Sequence, residues 1–301
     1  MEPTAIPCKT ILNPTGGFLG QGFTHTINLY RGCALGNTLC GLYCYAQWNP
    51  YHVRGRTWGR FLEVKDGAVE AYCAQYDRLK TPGNLKPIRI FMSSVTEPYP
   101  PQERTLRRTR ALLEAMVDRP PDLLAIQSHT PLVVEDLSLL RQLQRQCDVR
   151  VHITVETDKP KLPAPFPNQA YSPGSRVQAL HALRAAGLVS VATVSPLLPL
   201  DDPWRFAGEL ERACTRVILD HYLLGDGSKE GQRTNRTAFP RLLREAGYDE
   251  WTTLKKFHEI VDVFRSVFGS HERVGVSREG FNAGRNRVFD GRQGVSAGSR
   301  T

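Results

Sequence analysis

Six short apolar runs alternate along this chain with segments of helical periodicity, and this alternation limits the possible folds more than any other feature. The runs are rich in β-branched residues and bounded by turn residues, as is typical of buried strands. They lie at Thr24–Tyr30, Pro87–Ser93, Asp122–Ser128, Val149–Glu156, Leu188–Ser195 and Thr215–Tyr222. The helical segments between them lie at Asp66–Leu79, Pro101–Val117, Glu135–Gln146, Pro173–Ala186 and Asp202–Ala213. This order predicts an α/β protein with a parallel sheet, either a partial (βα)6 barrel of the TIM type or a doubly wound sheet.

The alternation stops near residue 225, which divides the chain into two predicted parts. Residues 1–225 hold the predicted barrel and an N-terminal extension. Residues 226–301 are predicted to hold a helix from Glu250 to Phe268, which ends at Gly269, and a basic tail. The tail arginines are Arg273, Arg278, Arg285, Arg287, Arg292 and Arg300. We expect both C-terminal segments to pack on the barrel.

Composition indicates a cytoplasmic protein with an anionic partner. The net charge is +9, which favours nucleic acid or a phosphorylated substrate over a neutral partner. No apolar run is long enough for a transmembrane helix, and the N-terminus lacks the pattern of a secretory signal. The chain has 7 cysteines, an odd number that argues against a complete disulfide framework and suits reduced thiols.

Three of these cysteines lie close together, directly after the first predicted strand. Cys33, Cys40 and Cys44 are separated by spacers of six and three residues, and Tyr43 and Tyr45 flank the last of them. Structural zinc sites and electron-transfer iron–sulfur clusters usually take four protein ligands. A set of three thiolates therefore predicts a metal centre with one position left open. A zinc site completed by His52 is the alternative, although zinc ligands usually pair at closer spacing.

Polar residues follow each of the other predicted strands. They are Ser94 and Glu97, then Gln127 to His129, then Glu156, then Ser195, and finally Asp220 to Tyr222. The carboxyl ends of parallel strands meet at one edge of a sheet or one mouth of a barrel. The sequence therefore predicts a single site that includes the cysteines.

The cysteine segment resembles the cluster loop of radical S-adenosylmethionine (SAM) enzymes, and most closely that of the spore photoproduct lyase branch. The resemblance continues through Ile90–Glu97, Leu124–His129 and Pro173–Pro196, and it covers about residues 27–222. It implies a partial six-stranded barrel, a [4Fe–4S] cluster on Cys33, Cys40 and Cys44, and SAM on the open iron. It also implies an electron donor such as flavodoxin or ferredoxin.

The same resemblance implies roles for single residues. Ser94 and Glu97 would approach the methionine amino group of SAM, and Glu156 and Arg176 its ribose and carboxylate. Tyr45 would lie beside the adenine, and Ser195 stands at the matching end of the fifth strand. Tyr43 and Tyr45 are the candidate catalytic residues, as donors of a hydrogen atom.

Three positions depart from the family pattern. The usual cysteine spacers are three and two residues long. Met92 stands where we align the cysteine that returns a hydrogen atom to the product radical, and Ser128 stands where we expect a lysine. The sequence predicts a radical SAM lyase that repairs UV pyrimidine lesions in DNA. The alternatives are radical SAM chemistry on another nucleotide, peptide or small molecule, and a zinc-stabilised nucleic-acid-binding module without catalysis.

Overall fold

The computed structural model describes residues 1–83 and 85–282. Its strands are β1 Thr4–Pro7, β2 Asn13–Pro14, β3 His25–Ile27, β4 Tyr30–Gly32, β5 Leu62–Asp66, β6 Arg89–Met92, β7 Leu123–Ser128, β8 Asp148–Thr154, β9 Val189–Val194, β10 Arg216–Leu219 and β11 Val274–Val276. The predicted α/β class is confirmed, because each of the six predicted runs contains a strand of one parallel sheet.

Helices connect these strands and cover one face of the sheet. They are α1 Leu39–Tyr43, α2 Pro50–Val53, α3 Ala68–Leu79, α4 Glu103–Leu106, α5 Arg108–Asp118, α6 Leu137–Gln144, α7 Pro173–Ala185, α8 Pro203–Ala213, α9 Tyr222–Gly225, α10 Gln232–Asn235, α11 Phe239–Glu245, α12 Leu254–Phe268 and α13 Ser277–Gly280. Among the described residues, no helix is both long and apolar enough to span a bilayer.

Side-chain caps fix the helix starts that the sequence indicates. Ser172 accepts from the backbone N–H of Ser175 at 3.1 Å, and Pro173 occupies the first helical position of α7. Asp202 caps α8 in the same way, and α12 ends at Gly269, whose φ of 63° is left-handed.

One predicted helix is broken. Between α4 and α5, Arg107 has a left-handed φ of 49°, so Pro101–Val117 is not continuous. The break allows the buried Glu103 carboxylate to accept from the backbone N–H groups of Thr109 and Arg110, at 2.6 and 3.3 Å. Tyr30 donates its O–H to the same carboxylate. Glu103 therefore caps α5 from inside the core, an arrangement that periodicity does not reveal.

The strand order shows a singly wound sheet. The sheet has 8 strands in the order β11-β10-β9-β8-β7-β6-β3-β2, so its parallel strands follow one another as they do in the chain. A doubly wound sheet would reverse this order at a switch point. The separate three-stranded sheet β1-β5-β4 lies in the N-terminal part, beside the cysteine segment.

The large sheet curls so that its two edges approach each other. Phe281 follows β11 at one edge, yet its ring centroid lies 6.4 Å from that of Phe91 on β6. In a flat sheet these strands would be roughly 24 Å apart, from five strand spacings of about 4.8 Å. The interior is filled at its lower end by an apolar cluster that includes Phe23, Phe91, Ala125 and Phe281. The chain therefore forms an open barrel.

The strand count differs from the predicted six. β11 adds a further parallel strand beside β10, and β2 pairs antiparallel with β3 at the other edge. β11 is only three residues long, Val-Gly-Val, and lies inside the segment predicted as a basic tail. α12 contributes Phe257, Ile260 and Phe264 to the main core. The division at residue 225 stays a prediction.

Candidate metal and cofactor site

A cavity of about 180 Å³ lies at the carboxyl ends of the barrel strands. An ordered water needs only about 10–15 Å³, so the space suits a much larger occupant. Its lining includes all three cysteines of the trio and residues from the ends of β6, β7, β8, β9 and β10. The predicted site residues that line it are Cys33, Cys40, Tyr43, Cys44, Tyr45, Ser94, Glu97 and Ser195.

Glycines fold the long cysteine spacer back on itself. A Cβ on Gly41 would lie 1.9 Å from the carbonyl oxygen of Gly36, and a Cβ on Gly36 would lie 2.5 Å from Gly59. Asn37 Nδ2 donates to the carbonyl oxygen of Gly59 at 2.6 Å. These contacts bring Cys40 back beside the other two cysteines, so the six-residue spacer still allows one shared site.

The trio is held in a setting that disfavours free thiolates. Burial raises the pKa of Cys33 to about 12 and of Cys44 to about 11, and it raises that of Cys40 well above the usual range. The negative charge of each neighbouring thiolate adds to the shift for Cys33 and Cys40. Three thiolates at this site therefore require a bound cation or metal group to compensate their charge.

Hydrogen-bond donors already point at two of the sulfurs. Backbone N–H groups of Leu35 and Glu97 lower the pKa of Cys33, against the larger effect of burial. Backbone N–H groups of Ala46 and Gln47 do the same for Cys44, and the buried Trp58 Nε1–H in the cavity wall has no hydrogen-bond partner in the described chain. N–H groups directed at ligand sulfurs are a feature of iron–sulfur sites, where they tune the reduction potential. The donor set therefore fits an iron–sulfur cluster.

The arrangement of the side chains fits an iron–sulfur cluster better than a single zinc ion. Within the described ranges, no three His, Cys, Asp or Glu side chains are grouped to hold one metal ion. A cluster instead takes each thiolate on a different iron, around a shared cavity. His52 does not line the cavity, and its pKa is lowered by burial and by the nearby charges of Lys65 and Arg31. The proposed zinc quartet is not brought together.

Glu97 is a buried carboxyl with a fixed orientation. It accepts from the backbone N–H of His129 at 2.8 Å, from the Ser128 hydroxyl at 2.7 Å and from the backbone N–H of Tyr99 at 2.9 Å. Burial outweighs these bonds and raises the pKa of Glu97 to about 7. Ser128, which stands where we expected a lysine, thus orients this carboxyl instead.

His129 is a site residue that sequence reasoning did not select. Its ring lies between two carboxylates, with Nδ1 3.8 Å from Glu97 and Nε2 3.9 Å from Glu156. Burial lowers its pKa, so the neutral imidazole is favoured there. The only signal in the sequence was its position directly after the third predicted strand.

Glu156 and Arg176 lie beside the main cavity rather than in its wall. They line a smaller neighbouring cavity, which shares Cys40 and His129 with the larger one. Arg176 donates to Glu156 and, at 2.8 Å, to the carbonyl oxygen of Thr154. Burial raises the pKa of Glu156, but Arg176, His129 and the Tyr43 O–H outweigh it, so the pKa is below its usual value. The two residues that were predicted to contact SAM therefore already form an ion pair with each other.

The two candidate tyrosines both donate their hydroxyl groups to protein acceptors. The Tyr43 O–H donates to Glu156, and its ring packs edge-on against Phe239. The Tyr45 O–H donates to the carbonyl oxygen of Ser94 at 2.6 Å. Asn28 fixes the Ser94 hydroxyl from the other side at 3.2 Å.

Met92 faces away from the site. Its side chain is fully buried in the main core, whereas its neighbours Phe91 and Ser93 line the cavity. Strand side chains alternate between the two faces of a sheet, so position 92 belongs to the helix-covered face. Met92 is therefore not a cavity-facing residue, and Ser93 is the nearest cavity-facing residue after it.

Asp220 is a second buried carboxyl in the cavity wall, and sequence reasoning left it without a role. It accepts from the backbone N–H of His221 at 2.9 Å and lies 3.5 Å from the Ser195 hydroxyl. Burial raises its pKa to about 7, although hydrogen bonds from Ser277, His221 and Ser195 oppose the shift. The carboxyl therefore faces the cavity partly protonated near neutral pH.

We expect Asp220→Asn to change how stability depends on pH. The folded protein binds the Asp220 proton more tightly than the unfolded chain, so this group loses its stabilising effect as pH rises from about 4 through about 7. The amide of the variant does not titrate, so its free energy of unfolding should not show this loss, which amounts to at most about 1.4 kcal/mol per pH unit. Urea unfolding at pH 5 and pH 8 measures it. The assignment would be contradicted if the free energies of unfolding of wild type and variant differed by the same amount at both pH values.

The surface of α4 and α5 and the loop after β10 both carry several basic residues. They differ in how many of those residues form ion pairs. On α4 and α5, Arg104 pairs with Glu135, Arg108 with Asp66, and Arg110 with Glu114 and Asp136. In the loop after β10, Lys229, Arg233 and Arg236 are exposed and make no ion pair among the described residues. With three exposed cations against the exposed Glu230, this loop carries net positive charge beside the cavity, whereas on the surface of α4 and α5 only Arg107 forms no ion pair among the described residues.

The predicted basic tail is only partly described. Arg273 pairs with Glu211 at 2.7 Å and donates to the carbonyl oxygen of Thr215, which makes it a structural residue. Burial raises the pKa of Asp220, and the nearby charge of Arg278 opposes part of that rise. Arg285, Arg287, Arg292 and Arg300 lie outside the described residues.

The chain is an open α/β barrel with three cysteines at its mouth. It is similar to several known proteins. No family model matches the chain. An uncharacterized protein of Methanocaldococcus jannaschii is 27% identical over 259 residues, which is 81% of this chain and 92% of that protein. An uncharacterized protein of Mycobacterium tuberculosis is 25% identical over 197 residues, or 64% of this chain, and the match spans 55% of its own length.

Solved structures identify the fold. Spore photoproduct lyase complexed with dinucleoside spore photoproduct aligns with a TM-score of 0.59 and 13% identity, over 91% of this chain and 81% of that one. A mutant of that lyase with bound AdoMet and dinucleoside spore photoproduct aligns with a TM-score of 0.53 and 14% identity, over 84% and 76%. The chain therefore has the fold of spore photoproduct lyase, which confirms at the level of fold the resemblance inferred from its sequence.

Proposed function

We propose that this protein is a radical SAM enzyme that acts on nucleic acid, and that its favoured reaction is radical reversal of a UV-induced pyrimidine lesion. The observation that carries the proposal is the cysteine trio: one buried and two partly buried thiols around one cavity, at the mouth of a barrel with the spore photoproduct lyase fold. Cys33, Cys40 and Cys44 would hold a [4Fe–4S] cluster. When bound, that group and SAM supply a 5′-deoxyadenosyl radical by reductive cleavage of the sulfonium bond.

The residues of the chain have defined tasks in this proposal. Tyr45, Ser94, Glu97 and Ser195 line the cavity and would contact SAM, with Glu97 oriented by its hydrogen bonds toward a cationic amino group. Glu156 and Arg176 lie behind the cavity wall. They would act on the bound cofactor indirectly, because Glu156 contacts His129 and Tyr43, which line the cavity. The apolar cluster around Phe91 and Phe281 would keep water from the lower interior.

The source of the hydrogen atom separates the two versions of the reaction. Apart from the trio, no cysteine of the described chain lines the cavity, so the hydrogen atom would come from Tyr43 or Tyr45 rather than from a thiol. This difference favours the alternative that the same radical acts on another nucleotide, a peptide or a small molecule. A reducing, cytoplasmic setting and a flavodoxin or ferredoxin as electron donor belong to both versions.

The decisive experiment is SAM cleavage under anaerobic conditions. We expect the purified protein to be brown, to hold about four irons per chain, and to release 5′-deoxyadenosine when reduced with flavodoxin. Lesion-containing DNA should raise that release and be restored to thymine. A colourless protein that cleaves no SAM would refute the enzyme class, whereas cleavage that ignores DNA would refute only the substrate.

A further inference from the structure

We propose that the surface over the cysteine loop is a docking site for a single or locally unpaired nucleic-acid strand, with Trp48 and Tyr51 as stacking platforms and Arg54, Arg60, Arg233 and Arg236 as phosphate contacts. We call this surface the aromatic platform. The inference deepens the proposed function by locating where the substrate strand is held, and it rests on that function for the substrate class.

The two aromatic side chains stand in solvent. Tyr51 is 82% exposed and Trp48 is 42% exposed, although large apolar side chains are normally turned inward. They lie three residues apart, on either side of the start of α2. Asn49 fixes that start, because its side chain accepts from the backbone N–H of Tyr51 at 3.0 Å. The rings are therefore presented by a short, capped element, with Tyr51 almost free of the described chain and Trp48 partly covered by it.

The chain segment that carries these rings has charged residues of one sign. Between Glu2 and Glu63 the sequence contains no Asp or Glu, yet it contains Lys9, Arg31, Arg54, Arg56 and Arg60. Arg54 and Arg60 are exposed and form no ion pair within the described part of the protein. A solvated surface without function usually mixes both signs, as α4 and α5 do here. This surface instead attracts polyanions.

The aromatic platform continues to the cavity mouth. α10 packs against the 3₁₀ turn Tyr45–Trp48, which places Arg233 on a helix beside the turn that ends at Trp48, and Arg236 follows directly after that helix. Arg233 donates to the carbonyl oxygen of Asp226 at 3.4 Å. Asp226 and Thr234 from the same loop line the cavity. A strand held on this surface would therefore present one of its bases directly to the site.

Exposed rings combined with uncompensated arginines fit a nucleic-acid strand better than a protein partner. Each base offers a flat face to an aromatic ring, and its phosphates match cations spaced along the surface. An acidic electron donor would use the charge, but it would have no need for an exposed ring at Tyr51. A base inside a duplex must also leave the stack before it reaches a buried site, and a platform at the mouth would hold the strand in that state.

The test is binding of a fluorescein-labelled oligothymidylate of about ten nucleotides to the complete protein, without SAM or reductant. We expect Trp48→Ala and Tyr51→Ala each to weaken binding between about fivefold and a hundredfold. Changing Arg54, Arg233 and Arg236 together to Gln should lower the slope of log affinity against log salt by about 2, at about 0.7 per phosphate contact. Circular dichroism should be unchanged, since all five side chains are exposed or partly exposed.

A matched control is available on the opposite kind of surface. Trp204 is 58% exposed, but the cations near it, Lys159 and Arg205, are paired with Asp201 and Asp158, so Trp204→Ala should leave oligonucleotide affinity unchanged. Affinity that stays within twofold in Trp48→Ala and Tyr51→Ala overturns the inference. So does slower reduction by flavodoxin with unchanged oligonucleotide affinity, which would assign the surface to a protein partner. Since this assay uses no SAM, its failure is distinguishable from failure of SAM cleavage.

Discussion

Replacing Cys40 with alanine is expected to remove iron and SAM cleavage together. Each thiolate of the trio holds a different iron in the proposed cluster, so losing one leaves an iron open to solvent in addition to the one that SAM would occupy. We expect the iron content to fall from about four per chain to near zero and 5′-deoxyadenosine release to fall at least about a thousandfold. Iron analysis and an anaerobic cleavage assay measure the two effects.

Cys73→Ala provides the control for this experiment. Cys73 lies on α3, is partly buried against the main core and is not part of the cavity wall. This variant should keep its colour and its activity. If Cys40→Ala remains brown with unchanged iron, Cys40 is not a ligand, and the trio would not be the cluster site.

The sequence was sufficient to predict the elements that follow simple periodicity. Each parallel strand of the barrel core was visible as an apolar run, and the starts of α7, α8 and α12 were marked by a cap or a proline. β11 was not visible, because three residues, one of them glycine, carry no periodic signal. It forms because β10 offers an open edge in register with Val274–Val276.

The sequence was less informative about which face a residue occupies. Met92 and Ser93 are neighbours in the chain, yet one is in the core and the other is in the cavity wall. A shift of one residue exchanges the two faces of a strand, so an alignment of short segments at low identity cannot fix this choice. Hydrogen bonds that span long sequence separations, such as that from Tyr43 to Glu156, also leave no local pattern.

The pairing of Arg176 with Glu156 shows how a predicted ligand contact can have a structural task. The pair is almost fully buried, with 4% of each side chain exposed, and the Tyr43 O–H completes it from the cysteine helix α1. Burying two charges costs several kcal/mol, which their attraction and hydrogen bonds offset. The pair thus connects α7 and β8 to the segment that carries Cys40 and Cys44. It would fix the cysteine loop whether or not SAM also contacts it.

Arg176→Met is accordingly expected to destabilise the protein by about 3–5 kcal/mol at pH 7, because it leaves a buried carboxylate without its cation. Arg176 holds the pKa of Glu156 below its usual value, so in the wild type this carboxyl adds stability above its unfolded pKa and loses it as pH falls. Without Arg176, burial dominates and raises that pKa, so the variant should regain stability between pH 7 and pH 5 while the wild type does not. Urea unfolding at both pH values measures the difference.

Two further variants separate this effect from a general loss of packing. Adding Glu156→Gln to Arg176→Met removes the unpaired charge, and we expect it to restore part of the lost stability at pH 7 and to abolish the gain on acidification. Arg241→Ala breaks the exposed pair with Glu245 and should cost less than about 1 kcal/mol. If Arg176→Met and Arg241→Ala cost the same, the buried pair is not what anchors the cysteine helix, and Arg176 would be free to serve SAM alone.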